Sequence, residues 1–553
     1  MKLVIVETPA QAKRLSDTLG DGWRVESCSG MVRDLPADQL GIDLEADFRP
    51  HFTVVPSKGN LVRRLMKALR DCEAVYAATP PTREGEAMAW HMLALSPDVK
   101  DKLVYRVLLT ALTPAAILAA FAAPHPLDMK LIEAHAGERI IDRLVGWSIN
   151  AAARQTFGFK TVLTNDGMVA LRLITERAAQ HGAFTPETRW RANVDFKVDG
   201  MSFSAGVLNA KGTALAIRTT DQAAQLETLL KGGQFWVDKT GQTLKAHPTP
   251  APLTLRGLIE ITARDLALTP EHTLALIAAL YDAGWITAPD AIVPPTLHEA
   301  AQTYIRREFG TEYLAAEPNI IAGIAPADVS RLPEALPGDG AAVYALVWKH
   351  FIAAHMPPAQ DKLMGARILV GMTKDKPYPL ELRSTAALLY FDGWQRVLPS
   401  DRQDVVLPIL PEGAALQPAN ITVETVTSEA PTPFSEAGLV GALVDSGVSV
   451  SAAVAALTGL RTAGYVDGET SFSLTETGRT VAAYLAEHFG ELTAPAFARE
   501  WAADLERIAS GERQRVEVLR DFWQRFGGTL RPAPAVRAAA EHKPIVLRPA
   551  EGV

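Results

Sequence analysis

Cysteine is nearly absent from this 553-residue chain, which holds only Cys28 and Cys72. Two thiols cannot build a disulfide framework, a four-cysteine zinc ribbon or an iron–sulfur cluster, so a reduced, zinc-free protein is expected. An excess of positive charge is missing too. Lys plus Arg total 55 against 63 Asp plus Glu, a formal net charge of −8. That balance excludes a polybasic binder that draws its affinity for nucleic acid from a strongly positive surface, though not a locally basic groove. Long apolar runs are also lacking. The N-terminal run is only Leu3–Val6, too short for a signal-peptide core. The most apolar later stretch, LLTALTPAAILAAFAAP, is broken by Thr110, Thr113 and Pro114 and falls short of about 18 uninterrupted apolar residues. The expectation is a soluble, cytoplasmic protein with no membrane partner. Neither a short internal repeat nor a low-complexity tract is visible.

What is present is ample core material: 48% hydrophobic and 21% charged residues. At roughly 150 residues per domain the length suggests three or four domains. In the first hundred or so residues short apolar strands alternate with helix patterns. Leu3–Val6 is followed by a helix through Leu19, Ala74–Ala78 by the helix REGEAMAWHML, and Val104–Leu109 by a helix over Thr113–Ala122. Such alternation predicts a parallel α/β sheet, whose functional crevice lies just past the strand C-termini. Glu7 and the 79–86 segment stand at that edge. Residues 125–184 read as helix, 188–245 as antiparallel strands, 254–315 as helix again and 366–425 as strands; a last helical block spans 434–527. The segment after Arg531 has no periodicity and is expected to be flexible.

Read for chemistry alone, Glu7 and the Arg83-Glu84-Gly85-Glu86 turn could form a carboxylate cluster for Mg²⁺. They could equally be acids decorating a helix N-terminus, which the helix dipole favours. The residues leave both readings open.

VIVETPAQAK, SGMVRDLP, GIDLEADFRPHF, TREGEAMAWH, RIIDRLVGW and VALRLITER follow one another in the order and spacing of the type IA DNA topoisomerases. The resemblance continues through APLTLRGLIEITARDLALTPEHTLALIAALYDAGWIT and ends with FAREWAADLERIASGERQRVEVLRDFW, covering about residues 3–527. It implies a multidomain α/β plus α and β architecture: an N-terminal Toprim domain on a toroidal core. The implied domains are Toprim at 1–124, a helical base at 125–187 and 430–530, a strand-rich arch at 188–253 and 360–429, a helical domain at 254–359 that carries the tyrosine in the family, and a tail at 531–553. In the family a tyrosine attacks single-stranded DNA to give a 5′-phosphotyrosyl link, an acidic cluster holds Mg²⁺, and a second strand passes through the opened gate.

This sequence departs from the family at the chemistry. Where the family reads LITYMRTDS, the chain reads Trp285-Ile286-Thr287-Ala288-Pro289-Asp290. Ala288 stands at the tyrosine position, and Asp290 at an arginine that faces the scissile phosphate. Two like charges about 4 Å apart at an effective dielectric near 20 repel by roughly 4 kcal/mol. The family's Asp-Pro-Asp-Arg-Glu-Gly-Glu becomes Pro80-Pro81-Thr82-Arg83-Glu84-Gly85-Glu86, so Pro80 and Thr82 mark lost metal positions. Glu7, Glu84 and Glu86 remain as a remnant acidic site, with Mg²⁺ expected weak or absent at Glu7 and Glu84. The expected lysine is Gln11, the expected histidine Met31 and the SAGRVQ arginine Asn165. The HEAIRPTD segment is Ile321–Asp328, and RPSTY is Ser449–Ala453.

Tyr281, Thr287 and Ser451 carry hydroxyls, but the first reads as a core aromatic and neither of the others has a visible base. Cys28 and Cys72 read as small apolar residues, His91 and His135 as core or surface histidines. Arg33, Lys58 and Arg172 are DNA-binding candidates. The Arg63-Arg64-Lys67-Arg70 face fits a DNA contact and a solvated helix face equally well. Three functions therefore stand: a catalytically inactive homologue binding single-stranded DNA (weaker than active relatives, and nucleoid-associated if it does) or a protein partner; an active topoisomerase with relocated residues; and a structural or regulatory protein that no longer touches DNA.

Overall fold

The structure, a computed structural model, describes residues 1–158, 163–289, 291–316, 322–468 and 471–530. Asp290, Ile321 and the 531–553 tail, all singled out above, lie outside the described residues.

The N-terminal unit is a four-stranded parallel sheet in the order Trp23–Ser27, Lys2–Val6, Ala74–Ala77, Leu103–Arg106. Successive side chains of a strand point to opposite faces, and here both faces are covered. Leu3 and Ile5 pack with Leu65, Leu69, Met92 and Leu93 on one side, while Val4 and Val6 pack with Leu15, Leu112 and Ile117 on the other. Each fully buried aliphatic side chain contributes roughly 1.5–3 kcal/mol. The covering helices are α1 (Pro9–Leu19), α2 (Gly59–Asp71), α3 (Arg83–Leu93) and α4 (Pro114–Ala122). Thr8, Thr82 and Thr113 cap α1, α3 and α4 through their side chains. Those caps fix where each helix begins, and therefore where the strand-to-helix turns sit.

Helices α5 (Met129–Phe157) and α6 (Asn165–Ala183) join the C-terminal helices, from Glu436–Val444 to Arg515–Phe526, around one large core that includes Leu144, Val169, Leu171, Leu439 and Leu519. A seven-stranded sheet has the order Ala415–Leu416, Gln234–His247, Ala359–Thr373, Lys376–Phe391, Met201–Asn209, Thr188–Val198, Pro418–Thr427, with every pair antiparallel. Between its second and third strands the chain leaves the sheet to form a helical unit with its own core of Leu258, Ile277, Ile305, Tyr344, Val347 and Phe351. That unit returns to touch both the N-terminal unit and the C-terminal helices. Among the described residues no helix is long and apolar enough to cross a membrane.

Three elements differ from the sequence reading. Trp23–Ser27 is an additional strand, at the sheet edge and only partly buried, so its WRVES pattern carries little apolar signal. The strand expected over Val104–Leu109 spans Leu103–Arg106. Within the stretch read as all strand, Thr220–Lys231 is a helix, capped by Thr219 and packed through Ala223, Leu226 and Leu230.

Candidate active-site cleft

Glu7 follows the first strand, half-buried. Its N–H donates to Gln11 Oε1 at 3.2 Å, and the same oxygen accepts from Thr8 N at 3.4 Å, closing a capping box on α1. Gln11 is therefore a structural residue here, 5% exposed. Its Nε2 donates to Asp282 Oδ1 and Thr8 Oγ1 donates to Asp282 Oδ2, each at 2.9 Å. Burial raises the Glu7 pKa, and the charges of Glu84 and then Asp282 raise it further. Asp282 is a site residue that sequence reading passed over. Its only sequence signal is a place six residues before Ala288.

The 79–86 turn is held from within. Thr79 Oγ1 donates to Gly85 O at 2.6 Å, and Thr82 Oγ1 accepts from Gly85 N at 3.1 Å. A Cβ on Gly85 would stand 1.9 Å from Pro80 O, so only glycine fits the close approach. Glu84 is exposed at the start of α3. Glu86 is not part of a remnant acidic site: it is 3% exposed and ion-paired to Arg106 Nε at 2.6 Å. Arg106, 1% exposed, also donates to Ala77 O and Val107 O at 2.9 Å and to Pro80 O at 2.6 Å. A carboxylate spent on a buried guanidinium has no free lone pairs aimed at a cation. Among the described residues no group of three or more His, Cys, Asp or Glu is arranged to hold a metal. The residues present do not fit a carboxylate-caged Mg²⁺.

The structure brings Ala288 to this edge. It is 4% exposed, and its N–H donates to Thr110 O at 2.8 Å. Thr287 pairs with Ala111 in an antiparallel bridge; its hydroxyl is fully buried and accepts from Ala325 N at 3.0 Å. Tyr281 donates its hydroxyl to Leu109 O at 2.9 Å, and burial pushes its phenol well above the ordinary range. Ser451 is exposed in the first turn of the Val450–Thr462 helix. Cys28 is buried, its thiol pushed up to about 11, and Cys72 is also raised by burial; neither is an activated thiolate. His91 and His135 are buried and held neutral, first by burial and then by neighbouring arginine charge, His135 down to about 4.

The basic candidates separate. Arg33 is half-buried over the Trp90 ring and donates to Phe52 O at 3.2 Å. Lys58 donates its ammonium to Ser29 O. Arg172 is engaged by Glu176 at 2.6 Å, one helical turn on. Arg63, Arg64, Lys67 and Arg70 form the exposed face of α2, opposite Val62, Leu65, Ala68 and Leu69. Met31 packs against the N-terminal core. Asn165 donates to Asp142 Oδ1 at 2.8 Å. Burial and the nearby Asp166 and Glu138 push Asp142 up to about 7, and burial and Glu138 push Asp166 up to about 6. Glu138 and Asp142 keep 36% and 40% of their side-chain surface exposed, so they line an accessible wall. Arg139, on the same helix, is committed to Asp34 at 2.8 Å. Glu138, Asp142 and Asp166 make this wall acidic.

Residues 126–520 match the model of a family described as DNA topoisomerase, and residues 2–112 match the Toprim domain. DNA topoisomerase 1 of Pseudomonas aeruginosa is 28% identical over 95% of this chain and 66% of that protein. DNA topoisomerase 1 of Zymomonas mobilis is 29% identical over 95% of this chain and 46% of that protein. The chain thus spans about two thirds and less than half of the length of these two relatives. The solved structure of full-length topoisomerase I from Thermotoga maritima has a TM-score of 0.84 at 25% identity, covering 97% of this chain and 91% of that one.

Proposed function

The chain belongs to the type IA DNA topoisomerase family, and on that premise we propose that it is a member without strand-cleaving chemistry, acting as a scaffold for single-stranded DNA or a protein partner. Ala288 carries the reading. Transesterification needs a nucleophile that can be activated, and a methyl group offers none. The nearest phenol, Tyr281, donates its proton to a carbonyl and sits where burial disfavours the phenolate. The pentavalent phosphate also needs converging positive charge. Gln11 and Asn165 stand where the resemblance expects a lysine and an arginine, and among the described residues no cluster of carboxylates fits a metal that would order the strand end.

Fewer phosphate contacts lower affinity and flatten its salt dependence, so binding to single strands is expected to be weaker than in active relatives. The names of the two relatives favour a second reading, an active enzyme using other residues. Purified protein with negatively supercoiled plasmid and Mg²⁺ separates them. No relaxation is expected. Relaxation that co-purifies with the chain and disappears in a Glu7→Ala variant would establish the second reading. Salt-dependent binding to a single-stranded oligonucleotide supports the scaffold's DNA role, and no binding at low salt selects a structural protein that does not touch DNA.

A further inference from the structure

The Toprim unit and the 254–359 helical unit meet at a joint beside Glu7. In this chain it is bonded on several levels. Both carboxylate oxygens of Asp282 are taken across the joint, by Thr8 Oγ1 and Gln11 Nε2 at 2.9 Å each. Tyr281 reaches Leu109 O at 2.9 Å. Backbone closes the rest, through Ala288 N to Thr110 O at 2.8 Å and the antiparallel bridge between Ala111 and Thr287. The backbone part of the joint is buried, with Leu109, Ala111, Thr287 and Ala288 all at most 4% exposed and Gln11 5%, while Thr8 and Asp282 are partly buried. The same helical unit is tied on its other side by the Arg256–Asp445 ion pair and by Thr458 donating to Glu271 at 3.3 Å.

Glu84 and Asp282 both lie close enough to Glu7 for their charges to raise its pKa. Two hydrogen-bond donors meet the Asp282 side chain, and separating the units strips it of both. Gln11 serves twice, as the capping-box partner of α1 and as a donor to Asp282, so helix geometry and joint closure depend on one side chain.

We propose that this joint is a latch with Asp282 as its bolt, and that it holds the two units together in the native ensemble. The joint is then fixed for a mechanical reason, independent of which residue stands at 288.

Two neighbouring amides read it out. Ala288 N–H bonds across the joint, whereas Thr287 N–H bonds to Ala325 O within its own unit at 2.8 Å. Opening exposes the first and spares the second. Residue-resolved hydrogen exchange on the full chain is expected to show both amides protected to a similar degree, with and without a single-stranded oligonucleotide. In Asp282→Ala, Ala288 exchange is expected to accelerate about tenfold or more while Thr287 stays as it was. Ala288 exchanging far faster than Thr287 in the unsubstituted protein would overturn the latch. So would an Asp282→Ala variant with unchanged Ala288 protection. If Asp282→Ala loosens both amides equally, Asp282 supports its own unit instead, and the bolt assignment fails.

Discussion

Replacing Glu86 by glutamine tests whether this carboxylate belongs to the core or to a metal site. Glu86 and Arg106 are 3% and 1% exposed and meet at 2.6 Å. Removing one partner of a buried pair costs about 3–5 kcal/mol, because the other charge stays buried and uncompensated. Glutamine keeps an oxygen acceptor for Arg106 Nε, and three carbonyls still receive the guanidinium, so the expected cost sits near the lower end, about 3 kcal/mol. That is a sizeable share of the roughly 5–15 kcal/mol that holds a domain together. Exchange of the Leu3, Val4 and Ile5 amides, which lie in the central strand, should accelerate about 150-fold, at one tenfold step per 1.4 kcal/mol. Mg²⁺ should change neither the unsubstituted protein nor the variant. A loss under about 1 kcal/mol, or a Mg²⁺-dependent stabilisation that vanishes with Glu86, would refute the pairing as the reason Glu86 is there. A Glu86→Leu, Arg106→Met double variant should recover only part of the loss, since the Ala77, Pro80 and Val107 carbonyls then lose their donor.

Ala288→Tyr is expected to leave plasmid relaxation at zero, because Asp290, Pro80 and Thr82 remain; crowding at this 4% exposed position should also cost about 1–3 kcal/mol by thermal melting. Recovery of relaxation by that single change would show the other losses to be minor. Stability should fall as pH drops from about 6.5 to 4, because His135 and His355 are buried neutral with folded pKa values near 4, below the ordinary 6.5. The unfolded chain then binds protons first, at a cost of up to about 3 kcal/mol per histidine; flat urea midpoints over that range would contradict it. Asp142 has the opposite sign. Its folded pKa is raised from 3.8 to about 7, so its contribution is lost as pH rises through 7. With a side chain 40% exposed, the cost is discounted to about 1–2 kcal/mol. Asp142→Asn should therefore stabilise the protein at pH 8 and much less near pH 4, and equal effects at both would rule this out.

Much of the Toprim unit was legible because its buried parallel strands read as continuous apolar runs, as in Leu3–Val6 and Ala74–Ala77. Trp23–Ser27 was not, since an edge strand with one half-wet face can alternate Trp, Arg, Val and Glu. The Thr220–Lys231 helix was hidden among strands because its three buried apolar positions are few. The site divides in the same way. Ala288 and Pro80 rest on a linear motif, which is why they can be proposed from sequence. The partners of Glu86 and Asp282 could not: the first is 20 residues away and the second meets Thr8 and Gln11 across more than 270 residues. Side-chain pairing at that separation is a product of the fold and leaves no local pattern.

The most direct test of the account is covalent trapping. A single-stranded oligonucleotide labelled at its 3′ end is incubated with the protein and Mg²⁺, quenched with denaturant and resolved on a denaturing gel. A 5′-phosphotyrosyl intermediate would carry that label on the protein. All label is expected to migrate as free oligonucleotide over the full range of Mg²⁺ and pH in which the protein is folded. A label that stays with the protein through denaturant, is released by protease and maps to a residue of this chain would contradict it.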